Sequence, residues 1–210
     1  MPPAHAALTI EAKDLACARG GRVVFSALSF RLTRGKLLAV TGPNGSGKSS
    51  LLRLIAGLIR PAAGSFHVEG ARKEDAVTHY FGHADALKPG LTLRETLRFW
   101  GTVYRQEGRV PLDPDFDESA EKVGLGHALD LPVGVFSAGQ RRRVGLARLL
   151  ISPRPLWLLD EPTASLDRDG EALLGSLMRD HLAAGGLIVA ATHQDLPVSA
   201  DQTLDLGAAG

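Results

Sequence analysis

Eight consecutive residues constrain this chain more than any others. Gly42, Pro43, Asn44, Gly45, Ser46, Gly47, Lys48 and Ser49 satisfy the pattern G-x-x-x-x-G-K-[ST]. Before them, Lys36 to Val40 reads as a buried strand. After them, Leu51, Leu52, Ile55, Leu58 and Ile59 form one apolar helical face, with Pro61 as the stop. A strand, a glycine loop and a helix in that order make a phosphate cradle. Several backbone N–H groups must point inward, and only glycine folds that tightly without a Cβ clash. The helix N-terminus adds partial positive charge. Lys48 brings a point charge to β and γ phosphates, Ser49 offers a hydroxyl to Mg²⁺, and Ser50 joins the phosphate-binding set. The pattern arises by chance in about one chain in a hundred. A merely structural glycine turn is the alternative, and the flanking strand and helix weigh against it.

The rest of the composition bounds the answer. At 210 residues the chain makes one domain, or one domain with a small subdomain inserted. It is 44% hydrophobic and 22% charged, enough to build a core and too apolar for a disordered chain. Twenty-four Lys and Arg against 23 Asp and Glu leave a net charge of +1, without the basic excess of a duplex-coating protein. The single cysteine, Cys17, staples nothing internally and fits a reducing compartment. The first residues show no basic segment followed by an apolar one, so no signal peptide is expected. No apolar run approaches the ~20 residues of a membrane span. Work at a membrane would need a partner.

Brief strands are expected at 8–10, 23–25 and 28–32, with a turn at Gly20-Gly21, and further strands at 65–69 and 77–81. Residues 84–150 read as an inserted helical subdomain within an α/β core made of 1–83 and 151–210. Thr92 and Glu95 form a capping box, and Leu93, Leu97, Trp100 and Tyr104 follow on one helical face. A Pro- and Asp-rich connector, Val110 to Asp117, precedes a short helix near 118–123. Ser137 and Gln140 form a second capping box opening a helix to about Leu150. Strands at 156–159 and 187–191, a helix between them ending at Gly185-Gly186, and an edge strand at 203–206 complete the pattern.

Asp160 and Glu161 end the 156–159 strand, where parallel sheets bind ligands. Asp160 is placed to hold hydrated Mg²⁺, directly or through water. Glu161 is placed to aim at a γ-phosphate and the attacking water, as general base or orienter. Ser137, Gly139 and Gln140 start a helix and offer a second anion site. One nucleotide needs one such helix end, so the second would serve a nucleotide held by another copy. The bland alternative is that Ser137 and Gln140 only cap their own helix.

These motifs, with Arg141-Arg142-Arg143, Asp160-Glu161-Pro162-Thr163, Ser165-Leu166-Asp167 and Thr192-His193 in this order, resemble the ATP-binding subunits of ABC transporters over essentially the whole chain. The resemblance implies a P-loop α/β domain with an antiparallel β piece and a helical subdomain. It implies MgATP binding and hydrolysis, and a head-to-tail homodimer closing over two ATP molecules. Ser137, Gly139 and Gln140 would face the γ-phosphate held by the other subunit, Asp167 would sit near the dimer axis, and His193 would touch the γ-phosphate. Two positions depart from the superfamily pattern. His83 stands where Gln usually reaches Mg²⁺ and water, and a neutral imidazole can accept a hydrogen bond there. Arg19 stands where an aromatic residue usually stacks on adenine. A guanidinium also stacks on a base, and Phe25 is the other candidate.

Gly82-His83, Leu87-Lys88, Leu91-Thr92, Leu97-Arg98-Phe99 and the Ser137 to Arg143 run are similar to the haem exporter ATP-binding family that powers cytochrome c maturation. This implies a complex at the bacterial inner membrane, the chain on its cytoplasmic face, with a membrane permease and haem-handling proteins as partners. Lys88 and Arg94 would line the permease groove. Another cargo, such as a lipid, drug or lipoprotein, stays open, as does a soluble ATPase acting on DNA or ribosomes. Against the latter stand a single cassette and the absence of sustained heptads. The Arg141 to Arg143 run is expected to be a packed or solvated helix face rather than a nucleic-acid patch. His67, His79, His127 and His181 match no motif and are expected to be satisfied core residues.

Overall fold

The computed structural model describes residues 8–71, 77–82, 86–106 and 115–207. The chain opens with a long hairpin of β1 (Thr9–Arg19) and β2 (Arg22–Thr33). Arg19 pairs with Arg22 across Gly20 and Gly21, whose φ values of 56° and 78° are those of a two-residue hairpin turn. The strands are longer than the sequence predicts. Polar Glu11, Lys13 and Asp14 hide β1, because a bulge at Asp14 (φ 46°) shifts the alternation. A bulge at Ala27 (φ 52°) in β2 restores the register, so Ala12 faces Phe30 and Cys17 faces Phe25.

β3 (Leu37–Thr41) leads through the glycine loop into α1 (Lys48–Ile55). The helix stops earlier than Pro61 predicts. Gly57 adopts φ 73° and Leu58 N–H returns to Arg53 O at 2.9 Å, closing the helix end. Leu58 is therefore 63% exposed rather than on the apolar face. β4 (Ala63–Glu69) pairs with β1, giving an antiparallel sheet of order β2-β1-β4.

β5 (Thr78–Phe81) is followed by α2 (Leu93–Gln106), α3 (Phe116–Lys122) and α4 (Ala138–Leu150). Both expected capping boxes form: Thr92 N–H donates to Glu95 at 2.8 Å and Ser137 N–H to Gln140 at 2.9 Å, each reciprocated by the cap oxygen. Asp115 caps α3 through Glu118 N–H at 2.8 Å. Most of the connector at 110–117 lies outside the described residues. Leu93, Leu97 and Tyr104 of α2 are buried, whereas Trp100 is half-buried.

β6 (Leu156–Asp160), α5 (Arg168–Ala183), β7 (Leu187–Ala191) and β8 (Gln202–Asp205) complete a five-stranded sheet of order β5-β6-β7-β3-β8, each paired parallel to its neighbour. Every residue of β6 and β7 is buried, as in a sheet covered on both faces. The two-residue period of a strand divides them. Leu156, Leu158, Leu187 and Val189 pack toward α1 and the antiparallel sheet. Trp157, Leu159, Ile188 and Ala190 pack toward α2, α4 and α5. β8 lies at the sheet edge beside β3: Leu206 N–H donates to Thr41 O at 3.0 Å. Just before it, the Asp201 carboxylate takes Lys36 Nζ at 2.7 Å and Leu37 N–H at 2.9 Å.

Two of the four unassigned histidines are core residues. His79 is 2% exposed, with Nε2 donating to Ser152 O at 2.6 Å, and His181 stacks on Trp157 at 4.0 Å. His67 and His127 are exposed instead.

Candidate functional site

The loop after β3 takes its shape from residues without side chains. A Cβ on Gly42 (φ 131°) would sit 2.8 Å from Ser46 Oγ, and one on Gly47 (φ 102°) would sit 2.5 Å from Val24 Cγ1. Gly47 also occupies the N-cap of α1, where no side chain caps the helix and no acidic residue stands in the first turn. The helix thus begins with N–H groups free to meet an anion. Lys48, only 7% exposed, spans the loop and donates to Gly42 O at 2.8 Å and Pro43 O at 3.2 Å.

Two carboxylates come to this loop from the end of β6. Asp160 is buried, and its two oxygens are separately held: Ser49 Oγ donates to Oδ1 at 2.9 Å and Tyr80 OH to Oδ2 at 3.1 Å. Burial, with the Asp160 charge beside it, raises the Tyr80 phenol above its ordinary value. Glu161 follows in a left-handed backbone conformation, φ 48°. Its N–H donates to Ala191 O at 2.9 Å, and its Oε2 accepts from His193 Nδ1 at 2.9 Å. Thus β6 and β7 end side by side, one presenting the carboxylate and the other the imidazole.

Together these residues line a cleft of about 570 Å³. Asn44, Gly45, Gly47, Lys48, Ser49, Ser50, Asp160, Glu161, His193 and Arg19 all lie on it, as the sequence predicts. Gly42, Pro43 and Ser46 do not line it; Pro43 packs against Gly207. Val24 and Ala164 line the cleft without having been anticipated. Phe25 is not an adenine platform: it is 2% exposed and points from β2 into the core, which leaves its neighbour Val24 toward the cleft. His83 lies outside the described residues.

Ser137, Gly139 and Gln140 do not line this cleft. Their own helix uses Ser137 and Gln140 as caps, and a Cβ on Gly139 would lie 3.2 Å from Ser165 O. The start of α4 therefore abuts the turn at 165–167. Asp167 caps α5 through Gly170 N–H at 2.8 Å and accepts from Arg143 at 2.7 Å. The Arg143 guanidinium, then Gly170 N–H, holds the Asp167 carboxyl below its ordinary value.

The arginine run after Gln140 is turned inward. Arg141 donates to Phe136 O, and Arg142, 3% exposed, donates to the carbonyls of Gly82, Asp160 and Glu161. No sequence signal separates Arg142 from its two neighbours. A second groove of about 490 Å³ is lined by Leu58, Tyr80, Trp100, Tyr104, Arg148 and Arg154 among others, but not by Lys88 or Arg94. Arg94 is instead held by Asp117 and Asp130, and Lys88 lies over Phe99.

Comparison with known proteins places this cleft in context. The profile of the family described as "ABC transporter" matches residues 25–164. The protein named "Cytochrome c biogenesis ATP-binding export protein CcmA" from Rhodopseudomonas palustris (strain BisB5) is 49% identical over 203 residues, spanning 95% of this chain and 98% of that protein. The one of the same name from Bradyrhizobium diazoefficiens is 51% identical over 194 residues, spanning 91% and 94%. Among solved structures, a putative ABC transporter ATP-binding protein from Pyrococcus furiosus superposes with a TM-score of 0.81 over 96% of this chain and 98% of that one, at 21% identity. That last likeness is one of fold.

Proposed function

This chain belongs to the ABC transporter family, beside the cytochrome c biogenesis ATP-binding export proteins, and from that premise we propose that it is the ATP-hydrolysing subunit driving haem export or haem release for cytochrome c maturation. The observation that carries the enzymatic part is the convergence of the 42–49 loop, Asp160, Glu161 and His193 on one cleft. The chain works as one ATP-binding domain, with 1–83 and 151–210 as the α/β core and 84–150 as the helical part.

Loop N–H groups and Lys48 bind the ATP phosphates; Lys48 already sits against carbonyls of that loop. Ser49 and Asp160 would hold Mg²⁺. Their oxygens lie 2.9 Å apart, one hydroxyl and one buried carboxylate, the hard donors Mg²⁺ takes when phosphates and water complete its shell. Bound there, the ion would neutralise charge on the phosphates. Glu161 orients the water that attacks the γ-phosphorus and receives its proton, and His193 holds that carboxylate and reaches the γ-phosphate. His83 takes the place of the usual glutamine beside the water. Arg19 stacks on the base at the cleft rim.

Ser137, Gly139 and Gln140 serve the ATP of a second copy. Their place outside their own cleft, beside the 165–167 turn, supports a head-to-tail homodimer around two ATP. Dimer closure on ATP and opening after hydrolysis would shift a membrane permease between states, because ATP binds the closed form better. Among the described residues no helix is long and apolar enough to cross a membrane, so the permease supplies the membrane contact. The subunit then sits on the cytoplasmic face of the bacterial inner membrane, with haem-handling proteins as further partners. The arginines at 141–143 are bonded to protein groups, which speaks against reading that run as a nucleic-acid patch.

The test is a covalent-haem stain of c-type cytochromes in a strain lacking the chain, complemented with the parent or with Lys48→Ala. The expected result is loss of haem attachment that only the parent restores. Full haem attachment without the chain would overturn the cargo and leave the ATPase reading standing.

A further inference from the structure

Arg142 is an expensive residue to bury, and its surroundings show what it does. A guanidinium taken out of water needs acceptors. Here they are main-chain carbonyls from two strand ends. Nη1 donates to Gly82 O at 2.8 Å, and Nη2 donates to Asp160 O at 3.0 Å and Glu161 O at 2.7 Å. The guanidinium carbon Cζ lies over the Phe81 ring, 3.8 Å from its centroid. Gly145, on the same helix, leaves space for that ring: a Cβ there would be 2.6 Å from Phe81 Cε2.

Asp160 O and Glu161 O belong to the peptide groups on either side of the Glu161 Cα. One nitrogen therefore grips both. That Cα is held at φ 48°, a conformation a residue with a side chain keeps only where its surroundings over-determine it. The other restraints are Glu161 N–H to Ala191 O at 2.9 Å, Ala164 N–H to Glu161 O at 3.2 Å, and His193 Nδ1 on the carboxylate itself at 2.9 Å; of these only the last touches the side chain, and it comes from the exposed His193. We propose that Arg142 is a positioning residue for hydrolysis: its fork fixes both peptide groups flanking Glu161 and so aims the Glu161 carboxylate. Through Gly82 the same fork ties the end of β5 to that point. A lysine would keep the charge but offers one nitrogen and no planar face. The inference rests on the reading of Glu161 as the group that orients water.

The test is steady-state ATP turnover by the full chain carrying Arg142→Met, alone and combined with Glu161→Gln. Misplacing a catalytic group by about 1 Å costs up to 100-fold, so kcat of Arg142→Met should fall at least about tenfold, with KM for ATP within about twofold. In the Glu161→Gln background the same change should alter residual turnover by less than about twofold, because the carboxylate it aims is already gone. Parent-like kcat, an equal fold-loss in both backgrounds, or a raised KM with unchanged kcat would each overturn the proposal. If Arg142→Met does not fold, Arg142→Lys carries the same test and the same thresholds. A Glu161→Gln chain that hydrolyses like the parent refutes the Glu161 reading and the fork with it. A slow Glu161→Gln beside a fast Arg142 variant refutes the fork alone.

Discussion

Acid should destabilise this chain through His79. The ring is buried on β5, edge-on to Tyr104 at 5.1 Å, and Nε2 donates to Ser152 O. Burial first, and the Arg154 charge second, lower its pKa from 6.5 to about 3, against the Ser152 hydrogen bond, which raises it. Above the unfolded value of 6.5 the ring is neutral in both states, and its stabilising contribution is complete. Below that value only the unfolded chain takes up the proton. Stability then falls by about 1.4 kcal/mol per pH unit until the folded ring titrates as well. By about pH 5 the loss is on the order of 2 kcal/mol. For a chain of this size that is ~4–8 °C of melting midpoint. The assay is thermal unfolding of the parent and of His79→Gln at about pH 7.5 and about pH 5. A glutamine amide can reach Ser152 O and does not titrate. The parent should lose ~4–8 °C more than the variant between the two conditions. Parallel losses would refute the reasoning, since they would mean that folding leaves the affinity of His79 for a proton unchanged.

Glu161→Gln should bind ATP and hold it, turn over at least about a hundredfold more slowly, and accumulate as a dimer by size-exclusion chromatography with MgATP; unaltered turnover would remove Glu161 from the chemistry. Gly47→Ala combines a φ of 102° with a Cβ 2.5 Å from Val24 Cγ1. It should cost about 1–3 kcal/mol and abolish binding of a fluorescent ATP analogue; parent-like melting and binding would show that the loop can shift at no cost.

Much of the fold was legible because it rests on local patterns. The 42–49 loop sits where its strand and helix put it, and the boxes at Thr92 and Ser137 form as written. The strand ends at Asp160 and Thr192 follow from buried apolar runs. What was hidden depended on phase or on distance. Asp14 and Ala27 each insert one residue into the hairpin, so alternation read along β1 fails although the register at Cys17 matches that at Ala12, before a further shift between Cys17 and Ala18. Gly57 ends α1 before Pro61 can, because a left-handed cap closes the helix on its own. Phe25, named as a candidate for the base, is buried, and its unanticipated neighbour Val24 lines the cleft, since one face of β2 belongs to the core. Tyr80 and Arg142 reach Asp160 and Glu161 from elements far away in sequence. Nothing in their local sequence marks a residue whose partners are another strand's carboxylate or carbonyls.

The edge strand β8 braces the strand that carries the phosphate loop. β3 carries the phosphate loop, and its support on one side is β7 and on the other β8, with Asp201 fastening Lys36 and Leu37, Leu206 bonding Thr41, and Gly207 packed against Pro43. The loop itself is synthesised early, but its foundation is the last strand described. The loop sequence is therefore complete well before the strand that braces it, and the last-made strand stiffens one of the earlier ones.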